Sequence, residues 1–409
     1  MSSQKYELVF RMPEDVFRMG SIEAMNAGGY GEMNFVFIHG VPDLEIYASQ
    51  ASLKRAGLKG FKLYADPQAV DELIEKGDNS SRVLHDFFAG NPIRNFKTAA
   101  TTDLYKFVAG IDTFWAPFNT VYNYTEFVYF TEIERRLREW IGKTEKDPGQ
   151  VSEMLHLVLS DLPADKVRRT EAIRSLGLPH PLQNACNSVV RISAKKMAWR
   201  KTLNKASQYS KLLCREIARR FYMSPKQAES CLSSELVDLF TGKGPDVDVL
   251  NARGTDFVVV GKNRKLKILL GKQAARFKAE HIPSLGKDIK EFRGDVVCAG
   301  KARGKAVKFS FGFSEEAVRI INQKIKVMKP GDIVVAGSTG PELIMACRKA
   351  GAIITEEGGI NSHAAVISRE LKIPAIVNTK IATQVIDDGD LIEVDANAGI
   401  VRILQKQKS

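Results

Sequence analysis

Cysteine is scarce in this sequence of 409 residues, and no two cysteines form a CxxC pair. The five that are present lie far apart, at Cys186, Cys214, Cys231, Cys298 and Cys347. Such scattered thiols argue against a disulfide framework and against a cysteine zinc site, and they fit a reducing compartment. We also find no cluster of metal-ligating residues, so no metal is expected on this chain.

Long apolar runs are missing as well. No stretch approaches the roughly 18 apolar residues that indicate a transmembrane helix. The first residues, MSSQKYE, lack the apolar core of a secretory signal peptide. The expected location is therefore the cytoplasm, with no membrane association. The composition is otherwise that of a globular protein, 44% hydrophobic and 26% charged, and the length favours two or three domains.

Acidic side chains are outnumbered, 48 against 60 basic ones, which leaves a net charge of +12. A charge of this sign favours anionic partners such as nucleic acids, phosphorylated metabolites or acidic protein surfaces. The segment from Arg191 to Arg220 carries much of the excess, with Glu216 as its one acid. It is either a solvated helical face or a surface that meets a phosphate or a partner. Nucleic acid is not expected, because no recognisable nucleic-acid module accompanies the charge.

The chain is predicted to be multidomain, with a mainly helical N-terminal part that includes some α/β structure. Residues 1–95 form a mixed α/β segment, and residues 96–285 form a helical domain that ends in a β-hairpin. The hairpin is predicted from two apolar runs, 256–260 and 265–270, separated by a short polar turn. From about residue 286 to 409, short strands and helices alternate, which predicts a compact α/β domain.

Aromatic residues are concentrated between Tyr105 and Trp140 at helical spacing. This pattern is typical of a helical core, although a pocket for a flat organic ligand would have the same composition. Glu126 lies within the stretch. Because an acid among aromatic side chains can have a raised pKa, Glu126 is a candidate general base.

One junction in the C-terminal part has the features of an anion-binding turn. A buried strand ends at Thr355, two glycines follow, and a helix opens near Ser362 and His363. Gly358 and Gly359 permit positive φ and close approach of the backbone to an anion. The positive end of the helix dipole favours a neutral imidazole and a negatively charged adduct on it. The junction therefore predicts a histidine that accepts and passes on a phosphoryl group.

The stretch from residue 355 to 377, TEEGGINSHAAVISRELKIPAIV, resembles the phosphohistidine (swivelling) domain of PEP-utilising enzymes. PEP synthase, pyruvate phosphate dikinase and rifampin phosphotransferase are members of that group. Segments 299–307, 331–341 and 388–399 are also similar to the family, so the resemblance covers about residues 292–404. By position, His363 matches the family's phosphorylated histidine.

The resemblance also implies roles for the neighbours of His363. Thr355, Gly358, Gly359 and Ser362 would form the phosphate loop. Thr355 and Arg369 are candidates for phosphate contact or loop anchoring. Arg369 lies six residues after His363, so a structural ion pair with Glu370 or another carboxylate is an equally good interpretation.

In the family, an ATP-grasp domain phosphorylates the histidine, but the residues before 286 show no ATP-grasp pattern and no Walker sequence. The order of segments resembles rifampin phosphotransferase without its ATP-grasp part, and a split arrangement is similar to phenylphosphate synthase. The resemblance thus implies a phosphotransferase subunit. It would receive the β-phosphoryl of ATP from a separate ATP-grasp protein, which holds ATP and Mg²⁺. A mobile link near 283–294 would let the domain carry the group to a small organic hydroxyl or enolate acceptor. The acceptor would bind in the helical domain, residues 96–285, with Glu126 as the candidate base of the acceptor site.

A non-enzymatic alternative uses the same histidine. The chain would then be a regulatory or scaffold protein that carries phosphohistidine, with the basic segment from Arg191 to Arg220 as its docking surface. Both hypotheses require His363, so the motif does not separate them. Binding of a small hydroxyl compound would favour the enzyme.

Overall fold

The structure is a computed structural model that describes eleven stretches of the chain: residues 6–13, 22–23, 25–26, 34–39, 43–89, 96–145, 147–160, 165–283, 289–310, 315–359 and 362–407. The chain divides into two compact units. The first consists of 1–130 and 191–283, and the second of 131–190 and 284–409. This division runs through the predicted 96–285 segment, whose acceptor-binding role stays a prediction. Residues 284–288, part of the predicted link, lie outside the described stretches.

The first unit contains a five-stranded antiparallel sheet in the order β1-β3-β2-β4-β5. Its strands are β1 (Tyr6–Pro13), β2 (Phe35–His39), β3 (Asp43–Ser49), β4 (Phe257–Lys262) and β5 (Lys265–Leu270). Strands β4 and β5 form the predicted hairpin. The two residues of its turn, Asn263 and Arg264, have φ of 51° and 59°, and positive φ is what two-residue hairpin turns favour. The hairpin is not isolated, because β4 also pairs with β2.

Helices form the rest of the described first unit. They are α1 (Gln50–Tyr64), α2 (Pro67–Ala89), α3 (Thr101–Tyr122), the part of α7 (His180–Arg220) from residue 191 onward, α8 (Pro225–Glu229), α9 (Ser233–Leu239), α10 (Val247–Arg253) and α11 (Gly271–His281). Ser224 caps α8 through a complete capping box with Gln227. Phe107, Trp115 and Phe118 of α3 are buried, so the aromatic stretch forms mainly core.

In the second unit, helices accompany an eight-stranded sheet. They are α4 (Thr131–Ile141), α5 (Pro148–Leu159), α6 (Lys166–Ser175), the first part of α7, α12 (Glu315–Val327), α13 (Ile344–Lys349), α14 (His363–Leu371) and α15 (Ala382–Val385). The strands are β6 (Glu291–Arg293), β7 (Asp295–Cys298), β8 (Lys301–Phe309), β9 (Ile333–Ala336), β10 (Ala352–Thr355), β11 (Ala375–Val377), β12 (Leu391–Asp395) and β13 (Ile400–Gln405). Residues 131–190 group with the C-terminal part because α5 packs against β7.

The sheet of the second unit has the strand order β6-β13-β12-β8-β9-β10-β11-β7. Its centre, β8 to β11, is parallel, and the outer strands are antiparallel. All four residues of β9 and of β10 are buried, as expected for parallel strands covered on both faces. Alternate residues serve the two cores: Val334 and Ile353 face one, and Ile333 and Ile354 the other. This confirms the predicted α/β character of the C-terminal part.

Two further sequence predictions concerned membrane-spanning helices and disulfide bonds. Among the helices that the structure describes, none combines the length and apolar character needed to cross a bilayer. The five cysteines are free thiols, four of them buried.

Candidate functional site

The candidate site lies where two neighbouring parallel strands end. β9 ends at Ala336 and β10 at Thr355, and these two residues are register partners. The pairing continues past the strands, because the Glu356 amide donates to the carbonyl of Ala336 at 3.1 Å and the Glu357 amide to that of Gly337 at 2.9 Å. Since the carboxyl ends of parallel strands share one edge, the segments that follow both strands meet there.

Thr355 is an anchor of the loop that follows β10. Its hydroxyl donates to the carbonyl of Glu357 at 2.7 Å, and its own carbonyl accepts from the amide and hydroxyl of Thr379 at 3.1 and 3.0 Å. The residue is completely buried. Of the two roles predicted for Thr355, phosphate contact and loop anchoring, this geometry supports anchoring.

The two glycines of the loop differ in backbone conformation and in surroundings. Gly358 has a φ of +111°, and a Cβ there would lie 2.8 Å from Oγ of Ser362, so both backbone strain and sterics favour glycine. Gly359 does not have a positive φ. A Cβ at Gly359 would instead lie 3.2 Å from Oε1 of Glu134, a residue of α4. Positive φ therefore explains the first glycine. At the second, the geometry shows the close approach of a carboxyl group, which a small shift of the Glu134 side chain could relieve.

His363 is the first residue of α14. Ser362 is the N-cap, and its Oγ accepts from the amide of Ala365 at 3.3 Å. The imidazole is half-buried, and its Nδ1 lies 3.0 Å from Oγ1 of Thr339. Burial lowers the pKa of His363, and the carboxylate of Glu370 partly opposes this effect. The ring is therefore biased toward the neutral form that a nucleophile needs.

The contact with Thr339 can set the tautomer of the ring. When Nδ1–H donates to the threonine oxygen, the lone pair is left on Nε2. Among the described residues none forms a hydrogen bond with Nε2, so that nitrogen is the candidate atom for bonding phosphorus. Sequence reasoning missed Thr339. The available signal was its place three residues after β9, at the same sheet edge as His363.

Arg369 lies on the last turn of α14, and its Nη1 lies 3.4 Å from the carbonyl of Val297 on β7. Burial lowers the pKa of Arg369 to about 10, while Cys298 and Asp165 act in the opposite direction. The contact that is observed thus joins α14 to β7. A role of Arg369 in binding phosphate stays a prediction.

Glu126 belongs to the first unit and follows a short 3-10 turn after α3. Its Oε2 lies 3.3 Å from Nζ of Lys196, which also donates to the carbonyl of Thr125 at 3.1 Å. Glu126 is therefore one half of an ion pair. Its predicted role as an acceptor-site base stays a prediction.

A cavity of about 420 Å³ lies between α2 and α7 in the first unit. The stacked rings of Phe88 and Tyr209, 5.4 Å apart, form part of its wall, and Lys205 and His85 add polar groups. Its volume lies in the range of small-molecule sites. Its aromatic residues lie outside the 105–140 stretch in which a pocket for a flat ligand was considered.

No group of three or more His, Cys, Asp or Glu side chains is arranged to hold a metal ion in the part of the chain that the structure describes. The site is built from an imidazole, a glycine turn, a helix start and three hydroxyl side chains, those of Thr339, Thr355 and Ser362.

Residues 328–399 match the family model described as "PEP-utilising enzyme, mobile domain". This region of the chain is a PEP-utilising enzyme mobile domain. The mobile domain thus includes both strands of the candidate edge together with Thr339, the glycine turn and His363. The predicted resemblance is confirmed for the family. The matched residues lie inside the predicted 286–409 domain, whose bounds stay a prediction.

Among known proteins, the chain is similar to a probable phosphoenolpyruvate synthase of Archaeoglobus fulgidus, with 32% identity over 201 residues, 47% of this chain and 24% of that protein. A probable phosphoenolpyruvate synthase of Pyrococcus abyssi is 49% identical over 78 residues, 19% of this chain and 10% of that protein. Chondramide synthase cmdD of Chondromyces crocatus is 40% identical over 122 residues, 30% of this chain and 3% of that protein. The chain therefore spans at most a quarter of the length of these relatives.

Proposed function

We propose that this chain is a phosphotransferase component that carries a phosphoryl group on Nε2 of His363. The observation that supports this most directly is the arrangement of the imidazole: it is half-buried at a helix start, and Thr339 holds its Nδ1. The similarity to phosphoenolpyruvate synthases, confined to part of each protein, supports the same class of chemistry.

The loading step uses the features of the turn. The lone pair of Nε2 attacks the β-phosphorus of ATP, the bond from that phosphorus to the oxygen it shares with the α-phosphate breaks, and AMP leaves. Water then cleaves the link between the β- and γ-phosphates of the pyrophosphoryl group on Nε2, which releases phosphate and leaves the ring as a phosphoramidate. The amides at the start of α14 and its dipole stabilise the new negative charge. Gly358 allows the backbone to turn around the anion without a side chain in the way.

We propose that a separate ATP-grasp protein holds ATP and Mg²⁺ for this step. The second step is transfer from His363 to a small organic hydroxyl or enolate acceptor. For docking of the partner, the net charge of +12 favours an acidic surface, and such an association weakens as salt rises.

The test is incorporation of label into the purified chain from [β-³²P]ATP in the presence of a candidate ATP-grasp protein. A parallel reaction uses ³²P-labelled potassium phosphoramidate, a small-molecule donor that phosphorylates histidine without a nucleotide. We expect label that is acid-labile and base-stable, at about one phosphoryl group per chain, in both reactions.

The control is His363→Gln, which keeps an amide-bearing side chain of similar polarity at the helix start. We expect it to lose all label from both donors while retaining the thermal midpoint of the wild-type chain. Label that persists in this variant would contradict the proposal, as would a wild-type chain that neither donor labels.

A further inference from the structure

One acidic side chain of α4 reaches the phosphohistidine turn within the second unit. We propose that Glu134 is the general base that deprotonates the acceptor hydroxyl when the phosphoryl group leaves His363. This inference rests on the proposed function, and it names a catalytic residue that the mobile domain itself does not contain. Glu134 lies outside the region of family resemblance and was not predicted from the sequence.

The geometry places both carboxylate oxygens of Glu134 against the turn. They would lie 3.2 and 3.6 Å from a Cβ built on Gly359, so the carboxyl group occupies the space beside this α-carbon. The carbonyl of Gly359 accepts from the amide of Ser362 at 3.0 Å, and Ser362 directly precedes His363. The carboxyl group therefore borders the same turn that presents the imidazole.

The charges around Glu134 suit a base that works near neutral pH. Burial and the neighbouring carboxylate of Asp295 raise the pKa of Glu134 to about 7, and Arg138, one turn further along α4, partly opposes them. Asp295 is itself held by a hydrogen bond of 2.8 Å from the side-chain amide of Asn378. From α14, His363 faces the turn as a largely neutral ring. A carboxyl group with this pKa is a stronger base than an exposed glutamate and is still partly ionised at neutral pH.

The transfer to the acceptor involves two bonds to phosphorus and one proton. The acceptor oxygen forms a bond to phosphorus while the bond between phosphorus and Nε2 breaks. The hydroxyl proton passes to the carboxylate of Glu134, and the electron pair of the broken bond returns to Nε2. Because Nδ1 keeps its proton toward Thr339, the products are a neutral imidazole, a phosphate ester and a protonated Glu134.

Water is a suitable acceptor for testing this role, because it requires no knowledge of the natural substrate. The full chain is labelled with ³²P-phosphoramidate, freed of reagent, and followed for release of inorganic phosphate between pH 5.5 and 8.5. The variant is Glu134→Gln, which preserves size and shape. The matched control is Glu139→Gln on the same helix, an exposed acid that pairs with Arg135.

We expect Glu134→Gln to accept label as the wild type does and to release it about 100-fold more slowly at pH 8, at the low end of what a general base contributes. The ratio of wild-type to variant rates should fall toward one as the pH drops below about 7, because the carboxylate then takes up a proton. The negative charge of the phosphoryl group on His363 disfavours ionisation of Glu134, so the midpoint of this pH dependence is shifted upward. Comparing the two proteins at each pH cancels the intrinsic acid lability of phosphohistidine.

Three results would overturn the inference. Equal release rates of wild type and Glu134→Gln would show that Glu134 is not the general base. A ratio of the two rates that is the same at every pH would show the same. A variant that fails to accept label would assign Glu134 to the shape of the turn instead. Absence of label from the wild-type chain is a separate result, since it defeats the proposed function and the inference together.

Discussion

Two regions differ in how far apart along the chain their site residues lie. One is the phosphohistidine edge of the second unit, where β9 and β10 end, and the other is the helical part of the first unit. At the edge, β9 and β10 end at paired residues, and short segments bring Thr339, Gly358 and His363 together. In the first unit, the cavity between α2 and α7 joins residues about 120 positions apart, such as Phe88 and Tyr209. A local motif can reveal the first kind of site, whereas the second is visible only in the fold.

At the phosphohistidine edge, Gly358 is the position where a side chain should impair labelling most. We expect Gly358→Val to abolish labelling of His363 and to lower the free energy of unfolding by about 1–3 kcal/mol, because a β-branched residue is strained at a φ of +111°. Labelling with phosphoramidate and chemical denaturation measure the two effects. Gly337→Ala is the control, since a Cβ there meets nothing within 4 Å. Normal labelling of Gly358→Val would show that the turn does not bind the anion.

A matched perturbation of the helical part should affect stability alone. In Gly77→Ala, the new Cβ would lie 2.1 Å from the ring of Trp199, and overpacking of this kind costs about 1–3 kcal/mol. We expect a lower unfolding midpoint and an unchanged rate of phosphoramidate labelling at 20 °C. Lys76→Ala, an exposed neighbour on the same helix, should change neither quantity. A labelling defect in Gly77→Ala would break the separation between the two regions.

Removing the partner of the imidazole should have a moderate effect. Thr339→Val keeps the shape of the side chain and loses the oxygen that lies 3.0 Å from Nδ1. Because one hydrogen bond contributes about 1 kcal/mol, we expect labelling to slow about 3- to 10-fold. Thr339→Ser, which retains a hydroxyl group, should restore most of the rate. If serine and valine behave alike, the hydroxyl does not orient the ring.

The smallest expected effect concerns pH. The pKa of folded His363 is lower than the value of 6.5 for an unperturbed imidazole, so the folded ring stays neutral to lower pH than the unfolded one. Labelling by phosphoramidate should therefore keep its plateau to below pH 6.5. The contribution of His363 to stability should be complete above pH 6.5 and decline as pH falls toward the lowered pKa. A pH profile of labelling with its midpoint above 6.5 would contradict this expectation.

The sequence was sufficient to predict the elements at the edge because every local signal agrees there. Buried apolar runs predict β9 and β10, Ser362 is an N-cap, and the glycines mark the turn. It was not sufficient for Thr339, whose relation to His363 depends on which strands are neighbours. It gave no indication of Glu134, because the packing of α4 beside the turn depends on contacts between elements that lie more than 200 residues apart in the chain. For Gly359, the sequence indicated only backbone flexibility, whereas the structure shows the carboxyl group of Glu134 close to its α-carbon.

The five-stranded sheet has a consequence for biosynthesis. Phe35 of β2 is the register partner of Gly261 on β4, so one inner strand waits for a partner that is translated about 220 residues later. At about 5–20 residues per second, a ribosome needs roughly 10–45 s to cover that interval. During this time the apolar β2, FVFIH, presents an unpaired edge to the surrounding solution. Chaperone dependence of this protein should therefore concentrate on its earliest-made strands, which precede His363 by more than 300 residues in the chain.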